Sequence, residues 1–428
     1  MAFLNFKLKE KGTTVKTEIT AGFTTFLTMM YIVPVNAIIV SKTGMDMGAL
    51  ITATALITIF STMLNGLWAN TPIAMSVGMG LNAYFTFGLV LGMKIPWQSA
   101  LGVVFISGML FLVLSFTKFR VWIMQSVPDD LRRAISAGIG AFIAFIGLKS
   151  MGMVVADPVV LVGMGDFKDP KVLLGVLGLV LVFGLYVWKI KGAFILGVLI
   201  TSLAGWLFGI APYPKELLSM PASIAPIALQ LDIASALTLS FLPVIITFLI
   251  TDMFDSLGTL SGVGFRAGLF KDDSIELEKT LEADAAATVA GALVGVSTTT
   301  AFIESASGVE EGGRTGLTAI ATGCFFSLTL FMMPLFSAIP ENAIYPVLVM
   351  VGVLMFGELS HINFKDPAIA VATFLIVIMM PLTFSITNGL AFGFIAYLLL
   401  KVLKQEFSDI NIGIVSLATI SMIVFIVR

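Results

Sequence analysis

The feature that most constrains this chain is a succession of apolar windows, each about as long as a bilayer is thick. Windows of roughly 20 apolar residues stand near 19–41, 49–69, 97–117, 131–152, 171–188, 193–211, 235–260, 280–296, 316–337, 343–359, 367–386 and 388–403. A helix rises about 1.5 Å per residue, so each window can span a hydrocarbon core of about 30 Å. With 58% hydrophobic and only 12% charged residues, the chain reads as an all-α polytopic membrane protein whose solvent is the lipid bilayer. A last apolar run, 411–427, is short for a span; it fits either a fifteenth crossing or an interfacial helix.

Two segments break this pattern. Ser297 to Gly316, STTTAFIESASGVEEGGRTG, is too polar and too rich in small residues to cross lipid as an ordinary helix. Ser297, Thr298, Thr299 and Thr300 favour extended backbone, through β-branching and competing side-chain hydrogen bonds. Glu304 follows where SASG can start a short helix. The counterpart is NTPIAMSVGMGLNAYFTFG, 70–88, where Pro72, Gly78 and Gly80 spoil a continuous helix and Asn82 heads an apolar half-helix. The plainer reading of 297–313 is an extramembrane loop. Counted as crossings, 72–92 and 297–313 bring the total to fourteen. Irregular backbone at membrane depth survives only buried in protein or lining a cavity, and an ionisable residue there marks a candidate site.

Basic residues support that count. With the N-terminus inside, seventeen Lys and Arg fall on the cytoplasmic side, and six (Lys42, Lys94, Lys149, Lys168, Lys171 and Lys215) fall outside, with Arg428 unassigned. Treating 297–313 as a loop would put Lys365, Lys401 and Lys404 outside. The N-terminal MAFLNFKLKEKGTTVKTE lacks the shape of a signal peptide, so the first crossing is expected to direct insertion into the cell's inner (plasma) membrane. A net charge of −2 gives no case for nucleic acid. The single Cys324 excludes a disulfide within the chain and reads as a packing residue; His361 reads as interfacial. No cluster has metal-ligand spacing, so neither metal nor cofactor is expected.

The two halves repeat. VPDDLRRAISAGIGAFIAFIGL (127–148) resembles IPENAIYPVLVMVGVLMFGEL (339–359), pairing Pro128 with Pro340 and Gly140 with Gly352. FISGMLFLVLSF (105–116) resembles IATGCFFSLTLF (320–331), and Asp157-Pro158 is matched with Asp366-Pro367. Seven crossings per half is odd, so the second half must be inverted. A 7+7 inverted repeat is a signature of alternating-access transporters, with the site where discontinuous crossings meet at the midplane. This places Asn82, Ala83 and Tyr84 opposite Phe302, Ile303 and Glu304, with residues 298–302 extended beside 77–81.

The eighth crossing adds Asp252 and Asp255, three apart and so on one helical face. Asp255 reads as the substrate-side residue, because Gly258 and Thr259 follow for close approach and hydrogen bonding. Asp252 reads as a supporting group or a proton carrier. Asp284 either caps its helix or supports the same site. Buried carboxylates with no basic partner must be compensated, and protonation does so at least cost because desolvation disfavours the charged form. A carboxyl that loads and releases a proton as the site alternates couples transport to the proton gradient. Acceptor-rich carboxylates suit planar substrates with adjacent N–H groups. Glu304, at a half-helix start, is the expected substrate carboxylate and Asp255 the expected proton carrier, with Asp252 and Asp284 as further proton-coupling candidates.

FLITDMFDSLGTL, ADAAATVAGALVGVSTTTAFIESASGVEEGGRTGLTA and GMGLNAYF resemble the motifs of AzgA-like purine permeases, a branch of the nucleobase–cation symporter-2 family. The resemblance covers essentially the whole chain. It implies a core domain (crossings 1–4 and 8–11, here 1–126 and 233–338) and a gate domain (5–7 and 12–14, here 127–232 and 339–428). It implies proton-coupled uptake of a purine nucleobase, guanine or hypoxanthine first and adenine as the alternative, and raises a homodimer through the gate domains. By position, Asp255 and Glu304 match the acidic substrate-binding residues of the related uracil transporters. Thr259 stands where those carry a histidine, so their proton pathway does not carry over unchanged. Three rivals are an anion transporter of the same architecture, which calls for a basic residue at a half-helix start, an intramembrane aspartyl protease, for which GMGD (163–166) supplies a short match, and a channel, whose flux would be independent of a proton gradient.

Overall fold

Helices occupy the apolar windows. The computed structural model describes residues 6–117, 126–260, 263–264, 269 and 275–427, with side chains as far as Met422. The first crossing is α1 (Val15–Met29) and α2 (Ile32–Ser41), followed by α3 (Met47–Trp68). Strand β1 (Met75–Val77) and the half-helix α4 (Met79–Ala83) form the third; α4 widens into π-helical winding over Tyr84–Gly92. Then come α5 (Trp97–Ser115), α6 (Asp129–Ser150), a hairpin of β2 (Val154–Asp157) and β3 (Leu161–Met164), α7 (Pro170–Val187), α8 (Ala193–Leu207) and a single turn, α9 (Ile233–Ala236). The second half runs α10 (Leu242–Leu260), α11 (Ile275–Val294), β4 (Thr299–Ala301) with the half-helix α12 (Ser305–Glu310), α13 (Gly316–Phe326), the short α14 (Met333–Ser337), α15 (Glu341–Phe356), α16 (Pro367–Thr383) and α17 (Ile386–Leu403). The final run is helical as well, α18 (Ile412–Val427), and packs on α17.

The repeat is visible as contacts. Pro128 and Pro340 each stand immediately before their helix, where a missing N–H costs nothing. The matched glycines meet: a Cβ on Gly140 would lie 2.6 Å from the Gly352 carbonyl oxygen, so α6 and α15 cross backbone to backbone. Helix α5 packs on α11, and its counterpart α13 packs on α3. Gly108 and Gly323, at the matched positions, allow these approaches against Thr288 and Met63. One pairing is corrected. The Asp-Pro that matches Asp366-Pro367 is Asp169-Pro170: both aspartates cap a helix whose first residue is the proline. Asp157-Pro158 belongs to the hairpin inserted between the fifth and sixth crossings.

Two packing groups emerge. Helices α1, α3, α5, α11 and α13 pack on one another, and α6, α7, α8, α15, α16 and α17 form the other set. Among the described residues, Lys42, on the face the basic-residue map puts outside, pairs with Glu341, and on the face it puts inside Arg133 pairs with Glu358, Lys191 with Glu311, and Lys401 with Asp366, Glu406 and Asp409. Lys118, Arg120, Arg266 and Lys271 of that map lie outside the described residues. Cys324 is exposed on α13 and does not pack inside. Asp166 of the GMGD match sits in an exposed turn, its carboxylate accepting the Lys168 amide at 2.8 Å.

Candidate functional site

The two broken crossings meet in an antiparallel strand pair, Met75 with Ala301, Ser76 with Thr300 and Val77 with Thr299. The Gly78 amide donates to the Thr298 carbonyl and the Phe302 amide to the Ala74 carbonyl. The half-helices therefore leave in opposite directions. Ser297 to Thr300 are all buried, so the segment is not an extramembrane loop. The register differs from the expected one by three residues: 298–302 lie beside 74–78 rather than 77–81, and the half-helix starts at Met79, with Asn82 one turn inside. Gly80 lies in that helix and lets it approach Ile139 of α6.

Backbone groups exposed by the broken geometry are satisfied by hydroxyls from the helix before each strand. Thr62 on α3 takes the Met75 amide at 3.0 Å, while the Ser61 and Thr62 hydroxyls reach the Met75 carbonyl at 3.0 and 2.8 Å. Asn65 donates to the Ile73 carbonyl at 2.7 Å. In the second half Thr288 on α11 accepts the Thr299 amide at 3.1 Å and lies 3.0 Å from its carbonyl. This is how polar strands persist at membrane depth.

Glu304 precedes α12 and makes no capping bond to it. Its Oε1 accepts the Tyr31 hydroxyl at 2.6 Å. Asp255 on α10 lies beside the Thr300 hydroxyl, within electrostatic reach of Glu304. Asp284 is nine residues into α11, so it is no helix cap; it accepts from Ser256, whose oxygen is 2.8 Å from that of Thr300. The hydroxyls of Thr300 and Ser256 thus connect Asp255 to Asp284. Asp252 is buried on the same helix face, 3.1 Å from the Thr288 hydroxyl. Among the described residues none of these four carboxyls is in an ion pair, and Asp252 Oδ1 and Asp284 Oδ1 have no hydrogen-bond partner.

Other expected residues lie elsewhere. The Phe302 backbone amide bonds to the Ala74 carbonyl, so this residue stands opposite 74 rather than 82–84. Ile303 is 50% exposed beside Glu304. Asn82 is buried, donates to Asn36 Oδ1 at 2.5 Å and accepts from Ser297, tying the half-helix to α2 and to the start of the second broken segment. Ala83 is buried next to it. Tyr84 points across to the other packing group, its hydroxyl 2.8 Å from Thr387 on α17 and its ring against Phe248. Thr259 is half-buried, and Gly258 faces open space rather than a close neighbour. Two residues that the sequence reading passed over join the site's frame: Tyr31, at the break in the first crossing, and Glu18, a buried carboxylate that binds the start of α13. The signal for Tyr31 was Pro34, which interrupts an otherwise continuous apolar helix.

Comparison with known proteins agrees with this architecture. The Permease family model (Xan_ur_permease) matches residues 16–427. The adenine permease AdeP of Escherichia coli K12 is 41% identical over 98% of this chain and 95% of its own. The guanine/hypoxanthine permease PbuG of Bacillus subtilis 168 is 40% identical over 98% of both. Among solved structures, the transmembrane domain of the cyanobacterial bicarbonate transporter BicA superposes with TM-score 0.65 at 15% identity, covering 86% of this chain and 95% of that one. That likeness carries the fold, a 7+7 inverted repeat. With the paired broken crossings at its centre and matches of this length, the chain is a multi-pass transporter, not an enzyme, and belongs to the Permease family.

Proposed function

We propose that this chain carries purine nucleobases across the plasma membrane together with protons, by alternating access, with its N-terminus in the cytoplasm. The observation that carries the reading is the convergence of Asp255 and Glu304 on the strand pair of the broken crossings, with no described cation beside them. Two carboxyls this close together would present acceptors to the adjacent N–H groups of a purine and repel an anion. The similarity to permeases named for adenine, guanine and hypoxanthine supports the same substrate class. Residues 1–126 with 233–338 would form the moving core, and 127–232 with 339–428 the gate.

In this reading Glu304 holds the base. Tyr31 occupies one of its oxygens, which leaves the other for a ring N–H. Asp255 carries the coupled proton. With no described cation beside the carboxyls, charge balance there would be kept by protons, and the Thr300 and Ser256 hydroxyls offer a route by which one passes between Asp255 and Asp284. Each hydroxyl can take a proton on one side and give one on the other. Asp252 shares that buried region through Thr288.

The test is competition for uptake in proteoliposomes. Labelled hypoxanthine and adenine are supplied against unlabelled adenine, guanine, hypoxanthine, xanthine, uracil, bicarbonate and sulfate. Purines are expected to compete and the anions to have no effect. Uptake of bicarbonate or sulfate without purine uptake would replace this reading with anion transport.

A further inference from the structure

The first crossing bends at one place, and the bend is encoded locally. Pro34 has no N–H, so the Met30 carbonyl lacks its usual partner four residues on. It receives only a long bond from Val33, 3.4 Å, and the helix yields between α1 and α2. Tyr31 sits in that gap, buried to 1% exposure. Its hydroxyl donates to Glu304, and its ring stands edge-on to Phe194 of α8, with centroids 5.2 Å apart at 82°. Edge-to-face rings at this separation attract.

Tyr31 therefore touches both packing groups. On one side, α1 is fixed to the half-helix that follows Glu304: Thr28 and Ser307 hydroxyls are 3.0 Å apart, and Gly308 lets the half-helix lie on Ala21 and Thr25. On the other side, the start of α8 leans on the same region three times over. Lys191 pairs with Glu311, Gly192 takes positive φ (+73°) where a Cβ would stand 3.3 Å from the Leu27 carbonyl oxygen, and Phe194 meets Tyr31. A shift of α8 relative to α1 moves Phe194 off the Tyr31 ring while the half-helix stays with α1.

We propose that Tyr31 is the positioning residue for the Glu304 carboxyl, and that through Phe194 it makes the hold on the base depend on where the gate stands. This rests on Glu304 being the base-binding carboxylate. With the gate against it, the ring is clamped and the hydroxyl fixes one carboxyl oxygen, so the other is presented in a single orientation. With the gate displaced, the ring is free to turn and the carboxyl loses that alignment. Affinity then differs between the two states, which a carrier needs in order to pick up and release the same base.

The experiment measures KM and Vmax for tritiated adenine and hypoxanthine in proteoliposomes holding wild type, Tyr31→Phe, Phe194→Ala, Glu304→Gln or the Tyr31→Phe/Glu304→Gln double variant. Unfolding temperature without base is the control for structural damage. Tyr31→Phe removes one hydrogen bond to a charged acceptor, so KM is expected to rise about tenfold or more with Vmax near wild type. Phe194→Ala should raise KM in the same direction. In the Glu304→Gln background the Tyr31 change should have no further effect, because it acts through that carboxyl. An unchanged KM in Tyr31→Phe, a loss of Vmax and unfolding temperature alone, or effects of Tyr31→Phe and Glu304→Gln that multiply would overturn the proposal. Wild-type KM in Glu304→Gln would overturn the carboxyl reading itself, a separate outcome read from a separate variant.

Discussion

Glu18 offers the sharpest stability prediction. It lies in the first turn of α1, yet its carboxylate is fully buried and accepts five hydrogen bonds. Oε1 takes the Arg314 amide at 3.0 Å. Oε2 takes the Thr315 and Thr318 amides at 3.2 and 3.1 Å and their hydroxyls at 2.8 and 2.6 Å. These amides open α13, where free N–H groups and the helix dipole favour an anion. Glu18 thus ties the start of the first crossing to the linker that follows the site's half-helix. Glu18→Ala leaves three buried amides without an acceptor; at about 1 kcal/mol each, the floor is about 3 kcal/mol. Glu18→Gln, with its oxygen in the Oε2 place, keeps four of the five bonds and should cost about 1–3 kcal/mol. Membrane proteins of this size commonly unfold irreversibly, so apparent unfolding temperatures in detergent should be compared at one scan rate. The expected order is wild type, then Glu18→Gln, then Glu18→Ala. A Glu18→Ala protein that melts with wild type would show that these bonds contribute no net stability.

The site carboxyls should respond differently to neutralisation. Glu304→Gln should weaken purine binding by about 1–3 kcal/mol in calorimetry, while Asp255→Asn should keep measurable binding but lose accumulation; the reverse pattern would exchange the two roles. Ser256→Ala interrupts the hydroxyl path between Asp255 and Asp284, so net uptake should fall about tenfold or more with binding preserved, and Ser256→Thr should restore it. Wild-type accumulation in Ser256→Ala would remove that path from the mechanism. Cysteine pairs at Lys42/Glu341 and Lys191/Glu311, joined by a short bifunctional reagent, bridge the two packing groups on opposite faces. Either bridge should stop uptake until it is cleaved, and transport that continues through both would exclude relative motion of the groups at those points.

Much of this architecture was legible as local pattern. Apolar length located the helices, and the Ser-Thr run located the second broken crossing, because β-branched hydroxyl residues fit a strand and supply donors at once. The first broken crossing was legible only approximately. Gly78 and Gly80 both weaken a helix, but Gly78 ends the strand and Gly80 serves the helix's approach to α6. That distinction depends on Ile139, over fifty residues away. Asp157-Pro158 and Asp169-Pro170 are equally good helix caps as dipeptides; the β2–β3 hairpin decides between them, and its exposed apolar strands carry a weak pattern. Tyr31 and Glu18 escaped notice because their partners, Glu304 and the 314–318 turn, are nearly three hundred residues distant. Tyr84 looked like a site residue because it follows Asn82, but its hydroxyl meets Thr387, over three hundred residues away, at the point where the half-helix turns π-helical.

The central claim is that a purine base and a proton cross together. Proteoliposomes containing a pH-sensitive dye, with no gradient imposed, test it directly. Adding external adenine or hypoxanthine should acidify the interior in step with uptake of the labelled base, and Asp255→Asn liposomes should take up base only downhill with no acidification. Base accumulation with no proton entry would contradict the account.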